Sequence, residues 1–250
     1  VLGHPQPRLA NNRISYLPEE RGLYRKMKVQ HQLEYLGRLK GVSGSPLRTR
    51  VALWLERVGL SGVARQKVET LSKGMAQKIQ FIGALLNEPD LLILDEPFSG
   101  LDPVNMESLR EIILDLKRVG TSILFSTHDM SMAELMCDRI LMIYEGEKVL
   151  DGSLAELQEQ FGIDTLRIRT DPPLPLLLSQ LYPEGTPPVL RDLGRIQELR
   201  GVENPQQFLH QLLDLARVDY FEIAPPSLHD MFVRLARPTE EEARETEGSH

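Results

Sequence analysis

The chain lacks the features that mark secreted, membrane-spanning or nucleic-acid-binding proteins. It holds one cysteine, Cys137, among 250 residues, which excludes an internal disulfide and fits a reducing cytosol. No apolar run approaches the roughly 20 residues of a membrane-spanning helix, and no signal-peptide pattern is present. The net charge of −7 argues against general nucleic-acid binding. What is left is an ordinary globular composition, long enough for a sizeable core.

One stretch, residues 71–102, carries most of the residues suited to chemistry, and it reads LSKGMAQKIQFIGALLNEPDLLILDEPFSGLD. A Ser-Lys-Gly turn opens a helix, and small residues at a helix start expose backbone N–H groups that suit phosphate. An apolar strand then ends in two carboxylates, which suit a metal ion and a water to be activated. The stretch predicts half of a nucleotide site, because a Gly-x-x-x-x-Gly-Lys-Ser/Thr loop occurs nowhere in the chain.

The hydrophobic pattern predicts an α/β fold with a parallel sheet. Strand-like apolar runs occur at residues 14–17, 91–94 and 121–127, and amphipathic helical segments lie between them. The continuous apolar character of the last two runs predicts strands that are covered on both faces. Glu96 and His128 follow the ends of these two strands, where ligands gather on such sheets.

Two local signals concern a helix start and a turn. Ser45 followed by Pro46 predicts an N-cap with proline at the first helical position. Residues 139–150 predict a hairpin that turns at Glu145-Gly146.

Composition divides the chain into two domains and a tail. We expect a first domain over residues 1–162, with an all-helical part at about 25–88, and a separate α+β domain over 163–237. The acidic tail at 238–250 is expected to be disordered. Because the chain opens at Val1 within loop-like sequence, we expect a fragment of a longer protein, with processing of a complete chain as the alternative.

Taken in order, the motifs of residues 14–160 resemble the ATP-binding subunit of an ABC transporter. The resemblance implies a P-loop NTPase-type ABC ATPase core, truncated before its phosphate loop, with a helical subdomain and a small α+β C-terminal domain. The phrases YLPEERGLY and PPSLHDMFVRL resemble the sodium-efflux and drug-export ATPases that pair with type-2 export permeases. These phrases define the subgroup less specifically than the ordered motifs define the family.

By this resemblance, Ser72, Lys73 and Gly74 belong to the signature loop, which binds the γ-phosphate of ATP held by the opposite subunit. The segment reads LSKGM where the family most often has LSGGQ, so Lys73 adds positive charge beside the expected phosphate. The alternative is an ordinary serine-capped helix.

The two carboxylates and the histidine are assigned in the same way. Asp95 resembles the residue that holds Mg²⁺ through water, and Glu96 resembles the catalytic carboxylate that orients the attacking water. His128 resembles the switch histidine that contacts the γ-phosphate. The alternatives are a strand terminus with solvated charges and a histidine that is exposed in a loop or satisfied in the core.

Two further segments match the family's pattern. Ser99, Gly100 and Asp102 match the D-loop, which crosses the dimer interface, although Asp102 is also suited to cap a helix. Glu19 lies where most of the family has a glutamine that ligates Mg²⁺ and bonds the attacking water. A carboxylate there ligates Mg²⁺ more strongly but adds negative charge near the γ-phosphate.

The resemblance predicts an ATPase subunit that uses ATP and Mg²⁺, pairs with a second ATPase subunit as a homodimer, and drives export through a separate permease. It implies a peripheral location on the cytoplasmic face of the membrane, with the fragment alone inactive. The alternatives are a pseudo-ATPase that lends its signature loop to a partner and a non-transport ABC module. The sequence leaves open whether the exported substrate is sodium, a drug or a lipid-like compound, and what the C-terminal domain does.

Overall fold

The computed structural model describes residues 12–20, 22–162, 165–183, 187–192 and 194–235, and the chain divides into two compact units, residues 1–128 and 129–250. The elements of the first unit are β1 (Ile14–Leu17), α1 (Val29–Leu39), α2 (Gly44–Arg57), α3 (Lys73–Leu85), β2 (Leu91–Asp95), α4 (Pro103–Arg118) and β3 (Ser122–Ser126). Those of the second are α5 (Met130–Met136), β4 (Ile140–Tyr144), β5 (Glu147–Gly152), α6 (Leu154–Phe161), β6 (Thr165–Asp171), α7 (Leu174–Leu181), β7 (Val189–Asp192), β8 (Gln197–Arg200), α8 (Pro205–Leu215), β9 (Arg217–Ala224) and α9 (Leu228–Leu235).

The sheet of the first unit is parallel, as the sequence predicts, and its strand order is β1-β2-β3. Leu17 lies opposite Leu94, and Asp95 lies opposite Ser126. The C-terminal ends of the three strands therefore meet at one edge of the sheet, and ligands on parallel sheets bind at such edges.

The two faces of this sheet differ. Side chains alternate between faces along a strand, and Leu17, Leu92 and Leu94 point to a buried face. On the other face Tyr16 is 55% exposed and Leu124 is 62% exposed. The prediction that β2 and β3 are covered on both faces is thus wrong for the described residues, because one face is half-open and β3 is the edge strand.

Helix α3 is buried around its whole circumference. Ser72 caps it by accepting a hydrogen bond from the Met75 N–H, and the ten residues from position 76 to position 85 are all buried. An amphipathic helix, as the sequence predicts here, buries only one face, so the hydrophobic pattern underestimates the burial of this helix. Its buried residues include three polar ones, Gln77, Lys78 and Gln80. Buried polar groups are costly unless they find hydrogen-bond partners.

The region between β1 and α3 is helical, as predicted, but the predicted start of one helix is wrong. Helix α2 begins at Gly44 with Ser43 at its N-cap, two residues before the predicted cap at Ser45. Pro46 therefore occupies the third helical position, where the missing N–H is still tolerated because first-turn N–H groups have no intrahelical partner.

The second unit contains a hairpin and two helices around one small core. Strands β4 and β5 are antiparallel, and Glu145 and Gly146 have positive φ values of 50° and 83°, which confirms the predicted turn. The core residues of this part come from the hairpin, α6 and α9: Ile140, Leu150, Leu157, Leu228 and Met231.

The remainder of the second unit is an antiparallel sheet of order β7-β8-β6-β9 with α7 and α8 packed on one face. The chain order strand, helix, strand, strand, helix, strand is the ferredoxin-like, or split β-α-β, arrangement. This confirms the predicted α+β character. The sequence did not predict α7, β7 or β8, because Pro173 and Pro175 read as loop residues, although they lie at the start of α7, where proline is accepted.

The predicted boundary between residues 162 and 163 stays a prediction, and the predicted disordered tail at 238–250 lies outside the described residues. Among the residues that the structure describes, no helix has the length and apolarity to cross a membrane.

Gly37 provides a test of the packing between α1 and α2. A Cβ at this position collides with the side chain of Leu47, which is 1% exposed. Alanine in a helix normally gains about 1 kcal/mol over glycine, whereas overpacking costs about 1–3 kcal/mol. We expect Gly37→Ala to destabilise the unit by about 1–2 kcal/mol in urea, as followed by the fluorescence of the only tryptophan, Trp54 in α2.

The matched control is Gly62→Ala, where a Cβ meets nothing within 4 Å. This control is expected to unfold at the wild-type urea midpoint. A Gly37→Ala midpoint equal to or above that of the wild type would show that the α1–α2 contact has room for a methyl group.

Candidate active site

The carboxylate of Asp95 lies between two hydroxyl groups that come from the neighbouring strands. The Tyr16 hydroxyl donates to Asp95 Oδ2 at 3.2 Å, and Ser126 Oγ donates to Asp95 Oδ1. Strands β1, β2 and β3 bring these groups together because they run parallel and in register. The pKa of Tyr16 is raised, mainly by desolvation and further by the hydrogen bond to Asp95 and its negative charge.

Glu96 follows directly and turns the chain away from the sheet. Its φ is 45°, in the left-handed region that non-glycine residues rarely adopt, and its N–H donates to Ser126 O at 3.1 Å. Left-handed backbone at a residue of this kind is costly and is often found at functional sites. The turn directs the Glu96 carboxylate towards the end of β3.

His128 meets Glu96 through two of its atoms. Glu96 Oε1 accepts a hydrogen bond from the His128 backbone N–H at 2.8 Å and lies 2.8 Å from His128 Nδ1. The Glu96 side chain is 17% exposed, whereas that of His128 is 84% exposed. A neutral imidazole that donates from Nδ1 carries its lone pair on Nε2. The structure thus brings Asp95, Glu96 and His128 together with Tyr16 and Ser126 in one group, the carboxylate cluster.

The signature segment forms a second group at the start of α3. Ser72 Oγ accepts from the Met75 N–H at 3.2 Å, and the N–H groups of Lys73 and Gly74 in the first turn have no intrahelical acceptor. The Lys73 side chain lies over Gly100, where the φ of 69° and the close lysine leave no space for a Cβ. The predicted signature and D-loop residues therefore share one surface, which we call the signature surface.

Helix α4 completes the signature surface. Asp102 caps α4 by accepting from the Asn105 N–H at 3.0 Å, which confirms its predicted capping role. The Asn105 N–H and side-chain amide lower the pKa of Asp102. A Cβ at Gly74 would lie 3.5 Å from the Asn105 amide, so the starts of α3 and α4 are neighbours. Ser99 belongs to the linking loop, where its N–H donates to Glu96 O at 3.1 Å.

Glu19 lies two residues beyond β1, at the sheet edge where Asp95 ends β2, and it is exposed. The backbone on both sides of it is held by α3, because Gln80 Nε2 donates to Pro18 O at 3.0 Å and to Glu20 O at 3.1 Å. The predicted nucleotide, metal and dimer roles of these residues stay predictions.

The donor set of the carboxylate cluster fits a hard divalent cation. Mg²⁺ in nucleotide enzymes is usually held by one or two carboxylates, with phosphate oxygens and waters supplying the other ligands. The cluster offers the Asp95 carboxylate flanked by hydroxyl oxygens, with Glu19 at the same sheet edge. Within the described part of the chain, no three His, Cys, Asp or Glu residues group as a complete metal cage. Asp95 and Glu19 are the carboxylates that would hold such an ion, and this role stays a prediction.

Sequence reasoning missed several residues that build these groups: Tyr16, Gln77, Gln80, Asn105 and Ser126. The signal for Tyr16 and Ser126 is their position near the ends of strands that flank β2. That signal becomes usable only once the register of the three strands is known. The glutamines lie on a helix whose burial the hydrophobic pattern underestimated.

Comparison with known proteins gives the following similarities. A family model described as ABC transporter matches residues 3–99. The "Uncharacterized ABC transporter ATP-binding protein YhaQ" of Bacillus subtilis is 43% identical over 232 residues, which is 92% of this chain and 77% of YhaQ. The ABC transporter ATP-binding protein NatA of the same organism is 37% identical over 155 residues, which is 62% of this chain and 63% of NatA. A solved "Structure of ATP binding subunit of ABC transporter" has a TM-score of 0.58 and 33% identity, covering 62% of this chain and 65% of that one.

The raised pKa of Tyr16 gives a test of the carboxylate cluster. Because desolvation raises the Tyr16 pKa independently of Asp95, we expect Asp95→Asn to lower this pKa towards the ordinary value of about 10 without reaching it. Titration of the phenolate absorbance near 295 nm, with and without Tyr16→Phe in each background, isolates this one tyrosine. Tyr220→Phe is the control, because the Tyr220 hydroxyl donates to Glu222 rather than to Asp95, and its difference curve should be unaffected by Asp95→Asn. An unchanged Tyr16 midpoint would mean that the two side chains are not in contact.

Proposed function

Because the chain belongs to the ATP-binding proteins of ABC transporters, we propose that it hydrolyses ATP to drive export through a separate membrane permease. The observation that carries this proposal is the contact between Glu96 and His128 beside Asp95. Phosphoryl transfer to water needs a positioned carboxylate, a group on the γ-phosphate and neutralisation of charge, and these three residues are suited to those tasks.

Glu96 is placed to orient and polarise the attacking water. Its carboxylate is largely buried and held by two contacts to His128, so little reorganisation is needed before it can accept a hydrogen bond from water. His128, with an exposed ring fixed through Nδ1, is placed to donate to a phosphate oxygen from Nε2 when protonated. In this proposal the two residues act as one unit.

Asp95 is the residue proposed to hold Mg²⁺, with Glu19 as a second carboxylate. When bound, Mg²⁺ supplies neutralisation of the charge that develops on the transferring phosphoryl group. The hydroxyls of Tyr16 and Ser126 hold the Asp95 carboxylate in a fixed orientation. A carboxylate held in one orientation is suited to binding a metal ion at one defined position.

The signature surface is proposed to act on ATP held by a second copy of the subunit. The Ser72 hydroxyl and the first-turn N–H groups of α3 are donors of the kind that bind phosphate. The Lys73 side chain over Gly100 adds a cation to the same surface. Ser99, Gly100 and Asp102 would lie at the dimer interface, so ATP would close the dimer and hydrolysis would open it.

The proposed permease partner, export direction and location at the cytoplasmic face of the membrane follow from the subgroup. The phrases YLPEERGLY and PPSLHDMFVRL resemble that subgroup, and the 37% identity to NatA supports the same placement. The helical region between β1 and α3 is the part proposed to face the permease. A permease gene adjacent to this one would support transport over a non-transport role.

The reading frame upstream of Val1 separates an ATPase from a pseudo-ATPase. No phosphate loop of the Gly-x-x-x-x-Gly-Lys-Ser/Thr form is present in the 250 residues. A loop of this form in frame upstream would complete the site and exclude the pseudo-ATPase. Its absence from the complete reading frame would favour a subunit that lends its signature surface to a partner.

Glu96→Gln tests the assigned chemistry in the protein expressed from its complete reading frame. The amide keeps the size of the side chain but removes the charge that polarises water, so we expect steady-state phosphate release to fall about 100-fold or more. ATP binding should persist, and size-exclusion chromatography with ATP should show an accumulated dimer.

The control is Glu88→Gln, because Glu88 is an exposed glutamate that pairs with Arg50 at the surface. This variant is expected to hydrolyse ATP at the wild-type rate. Unchanged hydrolysis in Glu96→Gln would contradict the role given to Glu96.

A further inference from the structure

Gln80 is a buried polar residue of α3 that the proposed mechanism does not yet use. It is 7% exposed, and its Nε2 donates to Pro18 O at 3.0 Å and to Glu20 O at 3.1 Å. These two carbonyls belong to the residues on either side of Glu19. One side-chain amide therefore bridges the backbone around the candidate metal ligand.

Both protons of this amide have a defined use. A glutamine NH₂ carries two donors, so each carbonyl takes one. Strand β1 ends at Leu17, and Pro18 has no N–H with which to continue its ladder. The Gln80 side chain thus takes the place of a strand partner over the residues that follow β1. It determines the path of the backbone through Glu19 after the sheet has ended.

Helix α3 uses a second glutamine in the same way. Gln77, one turn earlier and 3% exposed, donates from Nε2 to Pro97 O at 3.2 Å. Pro97 directly follows Glu96, as Glu20 directly follows Glu19. The helix that begins at the signature segment therefore holds two loops, and each of them carries an acidic residue of the proposed site.

We infer that Gln80 is a positioning residue that holds Glu19 at the sheet edge beside Asp95, so that the two carboxylates act on the same Mg²⁺. The inference rests on the proposed function, because it assigns Glu19 a metal role. It adds a physical link between the signature helix and Glu19: a shift of α3 shifts the Glu19 backbone with it.

The first experiment measures the backbone directly and needs no ATP hydrolysis. Gln80→Met keeps the length of the side chain but removes both donors. We expect amide hydrogen exchange at Glu19 and Glu20 to become about five- to tenfold faster. Exchange in α1 should stay at the wild-type rate. Gln30→Met is the control, because the side-chain amide of Gln30 donates to Glu34 on the same helix rather than to the segment around Glu19. It should leave exchange at the Glu19 and Glu20 backbone amides unchanged.

The second experiment separates positioning from a general structural role. In the protein expressed from its complete reading frame, Gln80→Met should raise the Mg²⁺ concentration for half-maximal ATP hydrolysis about tenfold, with a smaller change in kcat. Glu19→Ala should raise it by a similar factor. The double variant should be no worse than Glu19→Ala alone, because Gln80 acts through Glu19.

The outcomes distinguish the inference from the proposed function. Unchanged exchange at Glu19 and Glu20, equally accelerated exchange in α1 and α3, or additive effects in the double variant would each overturn the role of Gln80. An unchanged Mg²⁺ requirement in Glu19→Ala would overturn it as well. Absence of any ATP hydrolysis in the wild type would overturn the proposed function, and the exchange result alone would then decide whether Gln80 holds this segment.

Discussion

The in-register alignment of three parallel strands is the constraint on which the candidate site depends. Asp95 ends β2, and it receives two hydroxyl groups because Ser126 lies opposite it on β3 and Tyr16 lies near the end of β1 on the same face of the sheet. A shift of one residue in either pairing would turn these side chains to the opposite face of the sheet. The register therefore determines which oxygens surround the carboxylate, and the Glu96–His128 contact follows from the same alignment.

Helix α3 provides the second constraint, through buried polar side chains that donate hydrogen bonds to backbone carbonyls outside the helix. Gln77 and Gln80 donate to backbone carbonyls of two loops, and Lys78 donates to Val58 O, at the C-terminal end of α2. Desolvation lowers the pKa of Lys78, while the charge of Asp102 acts in the opposite direction. A buried lysine at the end of a helix gains from the helix dipole and from the carbonyl that it contacts. Each of these contacts ties a loop or helix end to α3, and breaking one leaves a buried polar group without its partner.

The parts of the fold that the sequence predicted correctly are those with a local physical signal. The strand order along the chain, the hairpin turn at Glu145-Gly146 and the capping role of Asp102 each depend on residues close together in sequence. The errors have non-local causes. The cap at Ser45 was displaced because α2 already starts at Gly44, and helix α7 was missed because its prolines lie in its first turn. Apolar runs do not predict whether β2 and β3 are covered on both faces, because coverage depends on which helices or strands pack against the sheet.

The candidate site shows the same division. Asp95, Glu96 and His128 were recognisable because each lies at or just after the end of a strand-like run, which places all three at one edge of a parallel sheet. Gln80 was not recognisable, since a glutamine within a helix is usually solvated, and its partners are about 60 residues away in sequence. The position of Glu19 was likewise not predictable, because β1 ends at Leu17 and strand pairing does not determine the backbone path beyond it.

The loop between Glu96 and Asp102 shows how the two groups of the site are joined. Glu96 turns in a left-handed conformation, Ser99 returns a hydrogen bond to the Glu96 carbonyl, and Gly100 lies under the Lys73 side chain. Since Pro97 in this loop is held by Gln77 of α3, the carboxylate cluster and the signature surface share one short segment and one helix. A displacement of the signature surface would therefore move the backbone within a few residues of Glu96. In the proposed dimer, so short a connection would let events at the partner's nucleotide alter the geometry of Glu96.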